Sequence, residues 1–493
     1  MVPPRSTALH VLSLVAARWV VTTLADSLGF KALSDDDFAR VTLAQAFSAS
    51  PGLDPTGSSW LPFPFWVTGT AMAVFGTSLT TAKLTSLVIA CASGILLYAA
   101  ARASRVQASA AWLGAMLFTF VPVGVFTGAA TVPELPTAAL CASALLLLRS
   151  PHPYAGILAA ALLIPATLSR YEAWPVALCA IISIGIPTPH PKDSKKTDPP
   201  VGIRLIAIAL ASIGPLAWIL WNQLFHGDPL HFHTRVSSYW FAWGGDASGW
   251  HALVVYPRSV VVDAPLLTAS LAGALYWNRS SDHQKTWLRP ALACFAVVAA
   301  LTLAQATGGA PTHHPERALL FLWAIGWIAV ADLLAGHTGP KGRGWDLWRT
   351  LWSGAVACFL LLRTYALAPD YGLDRNPELA LGTWLRQHTE GPILFAPKDY
   401  GYFAVMAALC DRDRLRLASS VDPRDAAATS PFDDAAMLTD RVHKDRVQWL
   451  VASGKQGLVA RDLGEVRFEQ DDWTVVRVAS TSEPARRGSG EGR

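Results

Sequence analysis

Apolar residues in this chain come in long unbroken blocks joined by short polar segments. Residues 84–101 and 291–304 carry no charged side chain. A stretch of about 18 or more such residues reads as a membrane-spanning helix, because lipid leaves backbone N–H and C=O groups no partner outside their own helix. The pattern predicts about eleven spans, near 8–26, 82–101, 107–126, 134–149, 154–169, 172–188, 204–224, 259–277, 290–306, 317–336 and 350–368. Residues 60–79 are also apolar but are broken by Pro62, Pro64, Gly69 and Gly76. They read as an interfacial or re-entrant segment, since a twelfth span there would invert every later loop. The first apolar block follows Arg5 and lacks a small-residue cleavage site, so it reads as a retained helix.

Basic residues set the sidedness. With the N-terminus inside, the inner joints hold Arg5, Arg102, Arg105, Arg149, Lys192, Lys195, Lys196, Arg204, Arg279, Lys285, Arg289, Lys341, Arg343 and Arg349. The outer joints hold only Lys31, Arg40, Lys83, Arg170, Arg235, Arg258 and Arg317, over much longer loops. That bias fits the positive-inside rule and puts the C-terminus outside. The expected fold class is mainly α: a polytopic transmembrane bundle with a long first outer loop and a small C-terminal α/β domain outside the membrane. The predicted boundaries are 1–368 for the membrane domain, 369–479 for the soluble domain and 480–493 for a disordered tail. Within the soluble domain, residues 379–388 have helical periodicity, and 393–396, 447–451 and 473–478 read as strands.

Composition agrees. The chain is 52% hydrophobic and 15% charged, against about 25% charged in ordinary soluble domains. Twenty tryptophans suit a protein with two membrane–water interfaces. A net charge of +4 points to no nucleic-acid partner. Six cysteines are scattered without CxxC or Cys/His spacing; the first five, Cys91, Cys141, Cys179, Cys294 and Cys358, fall in apolar segments and read as small core residues. No phosphate-binding glycine loop or nucleophile elbow falls on a strand–helix turn, so nucleotide chemistry is unsupported.

The conspicuous polar residues share the outer face. Ser34-Asp35-Asp36-Asp37-Phe38 follows the first span; it could simply open a helix with Ser34 as cap, but three carboxylates at a membrane face beside a Trp/Pro-rich segment favour chemistry. Glu134 opens the span after Thr131-Val132-Pro133, where it also complements the helix dipole. Ser169-Arg170-Tyr171-Glu172 joins two spans; Arg170 and Glu172 could pair locally, or Arg170 could hold a phosphate. His313-His314-Pro315-Glu316-Arg317 precedes another span, with Arg317 as a second phosphate contact and the histidines as a weak metal motif. His226, Asp228, His231, His233 and Arg235 form a further polar group. Arg18 and Asp26 read as structural partners of other helices.

This order of elements resembles the GT-C superfamily of membrane glycosyltransferases, and is most similar to protein O-mannosyltransferases and lipid A aminoarabinose transferases. The likeness rests on the acidic run after the first span, on Trp60-Leu61-Pro62-Phe63-Pro64-Phe65-Trp66, and on the acidic residue in the next outer loop. Ser169-Arg170-Tyr171-Glu172, Trp221-Asn222 with Gly227-Asp228-Pro229-Leu230, and a late arginine add to it. It covers roughly 8–336, while Asp399-Tyr400-Gly401-Tyr402-Phe403 is similar to tails on some bacterial members. The resemblance implies inverting transfer of a sugar from a polyprenyl- or dolichyl-phosphate carrier to a hydroxyl acceptor (protein, lipid or glycan) at the outer face of the inner (plasma) membrane. Asp35 or Asp36 would be the general base, and Glu134 the second acidic residue. Asp37, Lys83, Arg170, Glu172, His314 and Arg317 are the expected substrate contacts. A divalent cation, if used, would sit at Asp36 and Glu134. No lysine lies between Trp60 and Trp66, where some members bind phosphate, so Lys83, Arg170 or Arg317 must cover that role. A transporter or flippase is the alternative, against which stand the one-sided carboxylates and the absence of a repeat; a scaffold presenting the C-terminal domain leaves the aspartate run unexplained.

Overall fold

A computed structural model of the chain describes residues 5–186, 199–243, 249–278, 281–308, 314–336, 343–425 and 429–479. The expectations for Lys192, Lys195, Lys196, Arg279, His313, Lys341, the side chains of Arg5 and Arg343, and the 480–493 tail lie outside the described residues. The chain divides into two compact units between Asp374 and Arg375.

The first unit is helical. It opens with α1 (Arg5–Ser27), α2 (Asp35–Ala49), α3 (Phe63–Phe75), α4 (Leu79–Ala103), α5 (Ala108–Thr119), α6 (Pro122–Ala129) and α7 (Glu134–Leu147). It continues with α8 (Ala155–Thr167), α9 (Ala173–Gly185), α10 (Val201–His226), α11 (His231–Ala242), α12 (Trp250–Val262) and α13 (Pro265–Trp277). Then follow α14 (Ser281–Lys285), α15 (Leu288–Ala306), α16 (Pro315–Ala318), α17 (Leu320–Ala335) and α18 (Arg343–Leu367). Among the described residues, α1, α4, α10, α15 and α18 are long and apolar enough to cross a membrane, and α5–α6 and α12–α13 are bent pairs. The apolar α3, α7, α8, α9 and α17 are shorter.

Two expected spans differ in form. The one at 107–126 is broken, with α5 and α6 bent by 71°. The one at 259–277 starts inside α12, and α12 and α13 are bent by 70°. Pro122 and Pro265 stand in the first turn of the second helix of each pair. Proline has no N–H to continue the preceding helix, and its ring clashes with the turn before it. The segment expected as an outer loop at 225–258 is largely helical, built from α11 and the first part of α12.

Burial separates a core from a lipid-facing ring. Leu9, Leu12, Leu205, Leu216, Leu292, Phe295 and Leu303 lie exposed on the long helices α1, α10 and α15, the outward apolar surface a membrane would cover. By contrast α17 is buried nearly all round, including Trp323 and Trp327, as a helix without a polar face should be. It packs on α5, α7 and α13. At Gly114 of α5 a Cβ would lie 2.7 Å from Ile328 Cα and 2.9 Å from the Trp327 carbonyl oxygen. Only glycine permits that approach of two backbones.

After α18 the chain folds back onto the first loop. Leu373 N–H donates to the Ala32 carbonyl at 2.9 Å, and the Tyr371 ring stacks on Phe126 at 4.3 Å. Gly372, at φ +95°, has no room for a Cβ beside the Ala32 carbonyl.

The second unit holds α19 (Asn376–His388), β1 (Ile393–Phe395), α20 (Tyr402–Leu409), β2 (Leu415–Leu417), α21 (Ala435–Asp445), β3 (Trp449–Ser453), α22 (Gly454–Arg461), β4 (Gly464–Gln470) and β5 (Trp473–Val478). The sheet order is β2-β1-β3-β5-β4, with β1 parallel to β2 and β3, and β5 antiparallel to β3 and β4. Alternate residues serve two cores, as a two-residue period requires. Ile393, Phe395, Trp449 and Val451 join Leu381 and Leu385 on one face. Leu394, Leu450 and Ala452 join Leu438 and Val442 on the other. β2 and β4 were not predicted from sequence: β2 is three residues long between charges, and β4 is a mostly exposed edge strand.

Gly114→Val is expected to destabilise the bundle by about 1–3 kcal/mol, the usual cost of overpacking. Gly94 has nothing within 4 Å of an added Cβ, so Gly94→Val is the control. Thermal unfolding in detergent checks both; equal midpoints would contradict the α5–α17 contact.

Candidate active site

Three separate chain segments bring charge to one end of the bundle. The first is the start of α2. Ser34 occupies its N-cap in extended conformation, and Asp37 reaches back: its Oδ2 accepts from Leu33 N–H at 3.0 Å and Ser34 N–H at 3.2 Å. Its Oδ1 accepts from Thr131 N–H at 3.0 Å, and the Thr131 hydroxyl donates to the Asp37 carbonyl at 2.8 Å. Asp37 thus ties the acidic loop to the α6–α7 turn, three residues before Glu134. Successive helical residues point about 100° apart, so Asp36 faces elsewhere. Its side chain reaches solvent and forms no hydrogen bond or ion pair with described residues. Asp35 is half-buried and has a polar contact of its own.

The second segment is Glu134, 4% exposed at the start of α7. Its Oε1 lies 2.7 Å from Arg170 and 3.9 Å from Arg317, while Oε2 is buried with no hydrogen bond. The third is the α8–α9 turn. There Arg170 also holds Glu172, with Nε at 3.1 Å and a terminal nitrogen at 2.5 Å. Arg317 arrives from α16, just ahead of α17.

Arg40 completes the group. It stands four residues after Asp36, one turn along the same face of α2. Its guanidinium lies 4.5 Å over the Trp60 ring, a cation–π contact, and its Nε is buried without a partner. The charges of Arg40, Glu134, Arg317 and Arg170 all act on Asp36. Surrounding protein raises the Asp36 carboxyl above the ordinary value, and Glu134 adds to the rise while the three arginines oppose it.

Arg40 was read from sequence only as an outer basic residue, although its spacing from Asp36 was a usable signal. Tyr371 was missed altogether. Its hydroxyl is buried without a partner and senses Glu316, Arg317 and Glu134, yet it follows the last long helix, more than 200 residues from Glu134 in sequence. Tyr171 fixes the α8–α9 turn to the first loop: its hydroxyl donates to the Ser59 carbonyl at 2.6 Å and accepts from Trp218 Nε1 at 3.0 Å.

Other candidates find different partners. Lys83 pairs with Asp26 at 3.6 Å, and His314 with Glu316 at 3.1 Å. Arg18 donates to the Gly124 carbonyl at 2.9 Å. His226 and His231 stack on each other at 4.1 Å. Asp399, in the second unit, accepts from Gly401 N–H at 2.7 Å. The donor set at Asp36 and Glu134 does not fit a bound divalent cation. Arginines surround both carboxylates, and among the described residues no three His, Cys, Asp or Glu side chains converge.

Beside the charged cluster runs an apolar groove of about 60 Å³. Phe63 and Val67 of α3, Ile89 and Ala90 of α4, and Leu135 and Leu140 of α7 line it, and Thr131, Pro133 and Ser169 stand at its polar end.

A family model described as dolichyl-phosphate-mannose-protein mannosyltransferase matches residues 56–219. That span includes Trp60, Glu134, Arg170 and Glu172, and stops short of Arg317. The fold is similar to that of ArnT from Cupriavidus metallidurans bound to undecaprenyl phosphate, at TM-score 0.65 and 15% identity over 96% of this chain and 99% of that one. It is also similar to the apo Archaeoglobus fulgidus oligosaccharyltransferase, at TM-score 0.53 and 12% identity over 92% and 71% of the two chains. A third is archaeal oligosaccharyltransferase AglB from Archaeoglobus fulgidus with an inhibitory peptide and a dolichol-phosphate, at TM-score 0.51 and 11% identity over 96% and 75%. No curated protein sequence matches. The family model matches residues 56–219 alone, and the fold is that of the ArnT and oligosaccharyltransferase structures.

Burial raises the Asp37 carboxyl from the ordinary 3.8 to about 6, against the pull of the Thr131 and Ser34 N–H donors. The folded protein therefore holds this proton more tightly than the unfolded chain. That stabilisation is complete below about pH 4 and lost as pH rises through about 6. The thermal midpoint is expected to fall over that window, and the fall to shrink in Asp37→Asn, as a pH series of melting curves will show.

Proposed function

We propose that this chain is a membrane glycosyltransferase of the GT-C superfamily that moves a sugar from a polyprenyl-phosphate carrier to an acceptor hydroxyl at the outer membrane face, with inversion. The observation that carries the reading is Asp36: an accessible carboxylate without a hydrogen-bond partner among the described residues, acted on by three guanidinium groups beside Glu134. Asp36 is the general base. It takes the acceptor O–H proton as that oxygen bonds to the anomeric carbon, and the bond from that carbon to the phosphate oxygen breaks. The raised carboxyl brings the base nearer to neutral pH, where proton transfer is most effective. Asp37 cannot share this role while three backbone N–H groups occupy its oxygens.

Arg317 and Arg40 receive the leaving phosphate. Each has a buried Nε without a partner, and preformed donors aimed at developing negative charge stabilise the transition state. Glu134 holds Arg170 and Arg317 in place, with Glu172 sharing Arg170. The prenyl chain lies along the apolar groove of α3, α4 and α7, whose polar end meets the charged cluster. Two of the structures with this fold carry an undecaprenyl phosphate and a dolichol-phosphate, which supports a donor of that class. Lys83 and His314 are retained as outer contacts to donor or acceptor. The acceptor is a hydroxyl on protein, lipid or glycan.

Asp36→Asn is expected to lower transfer by about 10²–10⁴-fold, the usual worth of a positioned base, while still being stabilised thermally by the lipid donor. Arg317→Gln is expected to weaken that donor stabilisation. Transfer assays with a panel of polyprenyl-phosphate sugars check both; full activity in Asp36→Asn and Glu134→Gln would place the chemistry elsewhere.

A further inference from the structure

The end of the bundle opposite Glu134 carries a second charged hollow. Helices α7 and α17 both start at the active-site end, and each carries its partner charge at the far end: Arg149 two residues after α7, and Asp332 in the last turn of α17. There they lie 3.7 Å apart. Trp287 Nε1 donates to Asp332 at 3.0 Å, and His283 Nε2 lies 3.3 Å from the same oxygen. Arg149 is also clamped, with its guanidinium 3.7 Å over the Trp287 ring and one terminal nitrogen donating to the Thr286 hydroxyl at 3.0 Å.

A cavity of about 610 Å³ opens beside this group. Arg105, Arg149, Arg204, Lys285 and Arg289 line it, together with His152 and His283, and Asp332 is the one carboxylate among the described lining residues. Asp332 is already engaged by Arg149, Trp287 and His283. Arg149 has a side chain only 10% exposed, and its Nε and Nη1 are buried with no partner. Holding a guanidinium this deep with donors unused costs free energy unless an acceptor meets them. Arg105 and Arg289 are exposed at the rim, and their side chains form no hydrogen bond or ion pair with described residues.

We propose that this cavity binds a phosphate-bearing anion, taken up by Arg149 from within and by Arg105 and Arg289 from the rim. Guanidinium groups suit phosphate oxygens because their donors are planar and paired. The apolar wall formed by Leu148, Ile184, Ile186 and Ile203 suits a phospholipid headgroup with its acyl chains, and a soluble phosphate would use the same arginines. The site lies one helix length from Asp36, so it stands apart from the transfer reaction.

The test uses the full-length protein in detergent, with thermal unfolding followed in inorganic phosphate, in phosphatidylglycerol micelles and in neutral phosphatidylcholine micelles. A ligand bound by the folded state raises the midpoint. Stabilisation by phosphatidylglycerol alone supports the site with a lipid source; stabilisation by inorganic phosphate as well supports it with a soluble source. The double variant R105Q/R289Q alters only exposed side chains and is expected to weaken the apparent affinity about tenfold, in line with losing charged hydrogen bonds. R149Q is expected to weaken it further. The proposal is overturned if neither anion outdoes phosphatidylcholine, or if R105Q/R289Q responds as the native protein does.

Discussion

A carboxylate at the edge of hydrocarbon cannot stand alone, and the Glu134–Arg170 ion pair is the constraint from which this site follows. Taking an ion out of water costs several kcal/mol, and only a close partner with further hydrogen bonds offsets it. Glu134 meets that need with two guanidinium groups, and Arg170 meets it with two carboxylates. Those partners come from the starts of α7 and α16 and from the α8–α9 turn, so satisfying the charges locates three helix ends. Removing Glu134 would leave Arg317 without its carboxylate and Arg170 with Glu172 alone, and the site would lose geometry as well as charge balance.

Two adjacent aspartates on α2 then divide the work. Asp37 turns inward and spends its oxygens on backbone N–H groups of the first loop and of Thr131. That fixes the distance between α2 and the α6–α7 turn. Asp36, a third of a turn away, is exposed, and its oxygens form no hydrogen bond with the described residues. The aromatic residues nearby complete the frame: Trp60 lies under Arg40, Tyr171 is bonded to Ser59 and Trp218, and Tyr371 stacks on Phe126.

Much of this was legible in the sequence because membrane helices announce themselves by composition. Each predicted span corresponds to a helix or a bent pair, and the charges that stood out against apolar surroundings, Asp36, Glu134, Arg170 and Arg317, do converge. The sequence was silent where function depends on distant folding-back. Tyr371 joins the site only because the segment after α18 clasps Ala32. The bends at Pro122 and Pro265 fell inside segments whose hydropathy was continuous, so proline geometry, and not hydropathy, decided their form. The short strands β2 and β4 escaped notice because charged neighbours hide their alternation. Arg40 was within reach, since its spacing from Asp36 is one helical turn.

The shortness of α7 has a consequence for the membrane itself. Its 14 residues rise about 20 Å, whereas the hydrocarbon of a typical bilayer is about 30 Å thick. The polar clusters at the two ends of this helix therefore lie closer together than that hydrocarbon is thick, so either the bilayer thins around the bundle or the clusters sit within its edges.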